Sequence, residues 1–251
     1  MRPIQTFLLA VLLAAPASVM AQDAAPTSGA AVLERMRAAY DGKWYHTLTF
    51  AQKTTLFGKD GTKRIQSWRE SLRHTVRGTQ LRIDFGNPAD GNGVVYTADS
   101  SWRMAGGKLR GANADGNAFL PLIEGVYVQP VAKTIAELKS TNVDMSKVSP
   151  NTWRGRPVWV VGATSAADSS VAQFWVDATQ NVVVRMILSF GPGDPVDVQL
   201  DDYVPAGGGM LATKITMYTK GVPMQIEEYA DWKTGMELPD ALFDTTAWVV
   251  R

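Results

Sequence analysis

The sequence predicts a mainly β (α+β) fold: a curved antiparallel half-barrel of about eleven strands, with short helices plugging its concave face. Three observations predict it. Runs of aromatic and β-branched residues follow one another along most of the chain, each bounded by Gly, Pro, Asn or Asp. Several of them alternate apolar and polar residues, which buries one face of a strand and wets the other. Helical spacing is confined to one segment ahead of these runs and one or two in the middle, so nothing supports the helix–strand–helix alternation of a parallel, doubly wound sheet.

The first residues read as an export signal. Arg2 supplies a positive start, Phe7 to Ala15 an apolar run, and Val19-Met20-Ala21 a small-residue cleavage site. The apolar run is shorter than the roughly 20 residues that span a bilayer. The expected division is a signal peptide over 1–21, a flexible leader over 22–29 (QDAAPTSG), and one domain over 30–251. In that domain Val32, Leu33, Met36, Ala39 and Tyr40 fall at helical spacing, with Thr27 or Ser28 as N-cap and Gly42 as the stop.

Strand signals then run from Trp44 to Phe57, turning at Gly58-Lys59-Asp60-Gly61 into Thr62 to His74, followed by Thr79 to Phe85, Gly93 to Thr97, and Ser101 to Leu109 around Gly106-Gly107. Phe119, Leu120, Leu122, Ile123 and Val126 mark a second helix, with Pro121 in its first turn, and Val131 to Leu138 suggest a third. Strands resume at Pro157 to Gly162, Ala172 to Asp177, Val182 to Phe190, Pro195 to Tyr203, Met210 to Tyr218 and Met224 to Trp232. A sheet this long twists and curls, and its concave apolar face must be covered or filled. The helices are the natural cover, and the space between cover and sheet the natural ligand site. Its candidate residues are Leu33, Met36 and Tyr40 on the first helix, Leu48 and Phe50 on the first strand, Phe119, Leu122 and Ile123 on the second helix, and Met186, Leu188, Ile215 and Met217 on later strands. Gly116 and Gly125 flank the second helix as possible hinges of a lid.

Composition narrows the chemistry. There is no cysteine, which removes disulfides, thiolate catalysis, sulfur-ligated zinc and the acylated cysteine of a bacterial lipoprotein. Losing Arg2 with the signal brings the 25 basic residues level with the 24 acidic ones, a balance unlike that of nucleic-acid binders. No G-x-S-x-G elbow occurs, and the 2 histidines, His46 and His74, sit in strand-like runs where they read as surface or packing residues. No catalytic residue, metal site or cofactor is expected. The acidic pairs Asp201-Asp202 and Glu227-Glu228 read as solvated charge, since neighbours on a strand point to opposite faces. The 8 tryptophans are scattered over many strands and read as core or cavity lining rather than as a sugar-stacking platform. The 10 methionines add adaptable apolar surface.

The order of several short motifs resembles the LolA/LolB lipoprotein-carrier family across nearly the whole mature chain. WYHTLTFAQKTT, with Phe50-Ala51-Gln52, is similar to the family's first strand and its F-x-Q signature; TQLRIDFGNP to a strand ending in an aromatic and a proline; VVYTADSSWRM to the following x-D-G-K-x-x-W hairpin; and GNAFLPLI to the lid helix. QFWVD, NVVVRMILSF and ELPDALFD resemble the last strands and a P-x-x-x-F closure. The chain departs from the pattern near Arg77, where the family's lid-pairing basic residue falls, because Gly78 stands where proline is usual. It also carries an extra stretch from Tyr127 to Pro150, an added helix over the cavity or a partner surface. The resemblance implies a periplasmic, non-enzymatic, monomeric carrier of lipid or lipoprotein acyl chains, meeting an inner-membrane transporter or an outer-membrane acceptor. A lipid-sensing module of the same fold is the alternative, and an exported glycan-binding protein or hydrolase a third reading.

Overall fold

The computed structural model describes residues 24–189 and 193–249. The expected signal segment, Gln22-Asp23 and Phe190, the end of the strand expected from Val182, lie outside the described residues.

Helix α1 (Gly29–Ala39) begins where the Ala31 N–H donates to the Ser28 hydroxyl at 3.2 Å, a side-chain cap for one of the donors a helix start leaves free. Its stripe of Val32, Leu33 and Met36 is fully buried. The strands follow: β1 (Thr47–Phe57), β2 (Lys63–Thr75), β3 (Gly78–Phe85), β4 (Gly93–Tyr96), β5 (Ser101–Ala105) and β6 (Lys108–Asn113) before the central helices, then β7 (Val148–Trp153), β8 (Arg156–Val161), β9 (Gln173–Asp177), β10 (Val183–Leu188), β11 (Val196–Ala206), β12 (Gly209–Thr219) and β13 (Val222–Thr234). Thirteen strands form one open, curved sheet in the order β6-β5-β4-β3-β2-β1-β13-β12-β11-β10-β9-β8-β7, with every neighbouring pair antiparallel. Sequential hairpins account for all contacts but one, because β1 pairs with β13 at the centre of the sheet.

The mainly β half-barrel plugged by helices is therefore the observed fold, with two more strands than expected. The run from Ser101 divides into β5 and β6 around Gly106-Gly107. The stretch from Tyr127 to Pro150 contains helix and also opens strand β7, whose Pro150 sits on the outermost strand, where a missing ladder donor is tolerated.

The central helical segment starts with an irregular turn. Pro121–Gly125 is a π-helix, in which the Val126 N–H reaches back to the Pro121 carbonyl, and it runs into a short α2 (Val126–Val128) and then α3 (Val131–Glu137). These pieces pack on α1 and over β3. The Arg37 guanidinium ties them to α1 by donating to the Gln129 carbonyl at 2.6 Å. The main core lies between this helical layer and the concave face, and includes Leu33, Met36, Leu122, Val126, Phe174, Met186 and Leu188.

Two smaller clusters cover the opposite face. In one, the Arg185 guanidinium lies 4.9 Å from the Trp153 ring and 4.6 Å from that of Trp175 while making a two-pronged pair with Asp197. In the other, the tail after β13 folds back so that Trp248 packs on Val95 and Met104. Arg82, wholly buried, stacks 3.8 Å from the Trp248 ring, pairs with Asp84 at 2.6 Å and donates to the Leu242 and Val249 carbonyls, which clips the tail to β3. The tryptophans are thus core, cavity-wall or cation-stacking residues, apart from Trp232, which is 38% exposed. No helix among the described residues is long and apolar enough to cross a membrane.

Candidate functional site

A cavity of about 330 Å³ lies between the concave face and the 119–128 segment. Alternation builds its wall. Each strand presents every second side chain inward, which sets Leu48 and Phe50 of β1 beside Trp68, Glu70 and Leu72 of β2, and these beside Leu81, Ile83 and Phe85 of β3. Across the central seam, β13 contributes Gln225, Glu227 and Tyr229, and β12 contributes Ile215 and Met217. Phe119, Leu120 and Ile123 close the space from the helical side.

Of the predicted residues, Leu48, Phe50, Phe119, Ile123, Met186, Ile215 and Met217 line this cavity. Leu33, Met36 and Leu122 are instead packed in the adjoining core, as is Leu188, which also borders a separate pocket beside α3; each is at most 1% exposed. Tyr40 lies at the edge of that core. Its hydroxyl donates to the Gln180 carbonyl, and its ring meets Trp44 and Tyr127 edge-on.

The cover is fastened by polar contacts. Glu124, in the middle of the apolar segment and 5% exposed, accepts from the Trp44 indole N–H at 3.0 Å and from the Tyr45 hydroxyl at 2.7 Å. His74 Nε2 stands 3.5 Å from the same carboxylate, too far for a hydrogen bond but within ion-pair reach when the ring is protonated, while its Nδ1 meets the Thr79 hydroxyl at 3.0 Å. Burial, with the neighbouring Glu124 charge, pushes the Tyr45 phenol well above its usual range, so it stays a neutral donor. The Arg77 guanidinium takes no part in this. Arg77 is exposed at the β2–β3 turn, and the contact there is made by its backbone carbonyl, which accepts from Lys133 of α3 at 2.7 Å. The expected hinge glycines also have other roles. A Cβ on Gly116 would come within 2.4 Å of the backbone of Ala98 and Asp99, so that glycine permits a close approach of two loops. Gly125 has helical torsions at the junction of π-helix and α2.

One wall of the cavity is polar. Glu227 accepts from the Gln225 side-chain amide at 2.6 Å and from the Tyr229 hydroxyl at 2.7 Å; burial still pushes its carboxyl above the usual range. Glu70 is 6% exposed, and burial together with the Glu227 charge pushes it well above the usual range. Reading Glu227-Glu228 as solvated charge is therefore corrected in half. Glu228 faces out and pairs with Lys53 at 2.8 Å, whereas alternation turns Glu227 inward. Sequence reasoning missed Glu70, Glu124 and Glu227. The signal was present, since each sits at the inward phase of its own element: Trp68-x-Glu70-x-Leu72, Gln225-x-Glu227-x-Tyr229, and Glu124 within an apolar helical run.

No protein-family model and no curated relative matches the chain. Solved structures do. A putative outer membrane lipoprotein-sorting protein domain from Vibrio parahaemolyticus superposes with a TM-score of 0.58 at 11% identity, over 86% of this chain and 96% of that one. A DUF1329 family protein from Desulfovibrio piger gives 0.57 at 13%, over 86% and 95%. A LolA superfamily protein from Nitrosomonas europaea gives 0.51 at 14%, over 87% and 98%. At such identities the likeness is one of fold, and it extends over nearly the full length of each partner. The chain folds as the lipoprotein-sorting and LolA-superfamily structures do.

Proposed function

We propose that this protein is an exported, periplasmic, non-enzymatic carrier that takes an acyl chain of a lipid or lipoprotein into the cavity and delivers it toward the outer membrane. The observation that carries this reading is the cavity itself: about 330 Å³ of space, walled mostly by aliphatic and aromatic side chains, under a helical segment whose Glu124 is bonded to Trp44 and Tyr45 in the loop before β1. That volume falls within the roughly 300–1,000 Å³ of small-ligand pockets. Sequestering about ten methylenes at about 0.8 kcal/mol each gives about 8 kcal/mol gross, from which association takes several. The modest remainder suits a carrier that must release its guest.

The 119–128 segment acts as the lid in this reading, with α1 behind it. Native mass spectrometry of the protein purified from a periplasmic extract tests the function: co-purified acyl-bearing species are expected, and a cleanly empty protein that also refuses added fatty-acyl probes refutes it. Pull-down with membrane proteins then separates a carrier, which engages a transporter or acceptor, from a lipid sensor, which engages a regulator. Because the chain has no cysteine of its own, a disulfide engineered between the 119–128 segment and β2 tests the lid in isolation. Uptake should vanish when the bond is oxidised and return on reduction; equal uptake in both states removes the lid from the mechanism.

A further inference from the structure

Building on the carrier reading, we propose that the polar wall receives the cationic head of its guest: an amphiphile with an apolar chain and an ammonium group, held by Glu70 and Glu227. Glu70 carries the argument. It borders the cavity, is more than nine-tenths buried, and has no hydrogen-bond partner among the described residues. Several other polar groups of the wall are already engaged. Glu227 is bonded by Gln225 and Tyr229, the Tyr203 hydroxyl by the Val183 carbonyl, the Tyr127 hydroxyl by the Asn181 carbonyl, and Glu124 by Trp44 and Tyr45. A carboxyl that burial disfavours in its charged form gains when something entering the cavity supplies it with a partner.

The charge around it selects which donor. Glu70, Glu124 and Glu227 are the carboxyls among the lining residues; against them stands Arg103, exposed on β5, whose influence falls on Tyr96. An anionic head is repelled by whichever of these carboxyls is ionised, whereas an ammonium gains a charge-assisted bond from it. Burial pushes the Glu70 and Glu227 carboxyls above their ordinary range, so where they still hold a proton in the empty cavity an entering ammonium displaces it to solvent and leaves a carboxylate–ammonium pair behind. Affinity for an amine should then rise with pH across the range in which the empty pair still holds its proton. The facing phenols, Tyr96, Tyr127, Tyr203 and Tyr229, are all pushed upward by burial and stay neutral there. Glu124 and the His74 ring behind it are the other titratable groups on that side, and they are untouched by the variants below.

Trp44 and Trp68 border the cavity and report its occupancy by fluorescence. Dodecylamine, dodecanol and dodecanoate, each below its micellar concentration, should be titrated into the wild-type protein and the E70Q/E227Q double variant at several pH values. The wild type should bind the amine about tenfold more tightly than the alcohol at neutral pH, a preference of about 1.4 kcal/mol. The preference should shrink on acidification. In E70Q/E227Q it should vanish while alcohol binding persists, which also shows that the variant is folded. Equal affinity for amine and alcohol in the wild type, or preference for dodecanoate, overturns the head-group assignment and leaves the carrier reading standing. Failure of all three probes to bind overturns both.

Discussion

Glu124 shows how a single polar side chain reshapes the meaning of an apolar helix. By composition the 119–128 segment is a piece of core, and a core piece has no reason to leave. With the Glu124 carboxylate holding the Trp44 indole and the Tyr45 hydroxyl, a defined share of the closed state rests on directional bonds that water can replace. Replacing Glu124 by alanine leaves two buried donors without their acceptor, at about 1–3 kcal/mol each. The midpoint of denaturant unfolding should fall accordingly, and apolar probes should enter faster. Gln in place of Glu keeps one acceptor oxygen and should lose less. Unchanged stability in both variants would mean that Glu124 does not fasten the 119–128 segment. The sequence shows the residue but not its partners, because Trp44 and Tyr45 stand about 80 positions away and are brought to it only by the fold.

At the scale of elements, the interior of the sheet was legible and its two edges were not. Strands such as β11 and β12 carry an apolar–polar alternation because both neighbours and one face constrain them. Edge strands lack half of those constraints. All six residues of β6 are exposed, and the strand expected to end at Leu109 continues through Arg110, Gly111 and Asn113, whose polar, Gly-containing run carries no strand signal. In β7, Pro150 argues against a strand even as its position makes it harmless. The same features protect the edges, since charge and proline discourage another chain from adding on. Substituting Pro150 by valine supplies the missing donor and a β-former together. The variant should keep its fold and shift toward dimers and larger species as concentration rises, read by light scattering; a strictly monomeric variant would show that β7 is guarded by something other than its proline. The candidate cavity was legible to a similar degree. The inward phase of each strand identified Leu48, Phe50, Ile215 and Met217, whereas Leu33, Met36 and Leu122 have the same chemistry and differ only in being packed against neighbours instead of empty space. Periodicity assigns a face; it carries no information on where a face is left unfilled.

For the molecule as a whole, the buried carboxyls give stability a distinctive response to pH. Glu70 and Glu227 hold their protons more firmly in the folded chain than in the unfolded one. Their contribution is therefore complete below the ordinary carboxyl range, about 4.3, and is lost as pH climbs through the raised folded values. Asp60, Asp144, Asp168 and Asp244, lowered chiefly by hydrogen bonds from nearby Thr or Ser side chains, act in the opposite sense at more acid pH, but they are exposed and screened. The empty protein should become easier to unfold as pH rises from about 4.3 toward neutrality, and E70Q/E227Q should flatten that slope; an unaltered slope would place its origin elsewhere. The pairing of β1 with β13 has its own implication. Leu48 meets Thr234 across a join between the two ends of the domain, and the cavity takes walls from both sides of that join. A chain emerging amino end first therefore offers a half-built hollow with a raw backbone margin on β1 until β13 arrives, and the cavity has both its walls only once that last strand is in place.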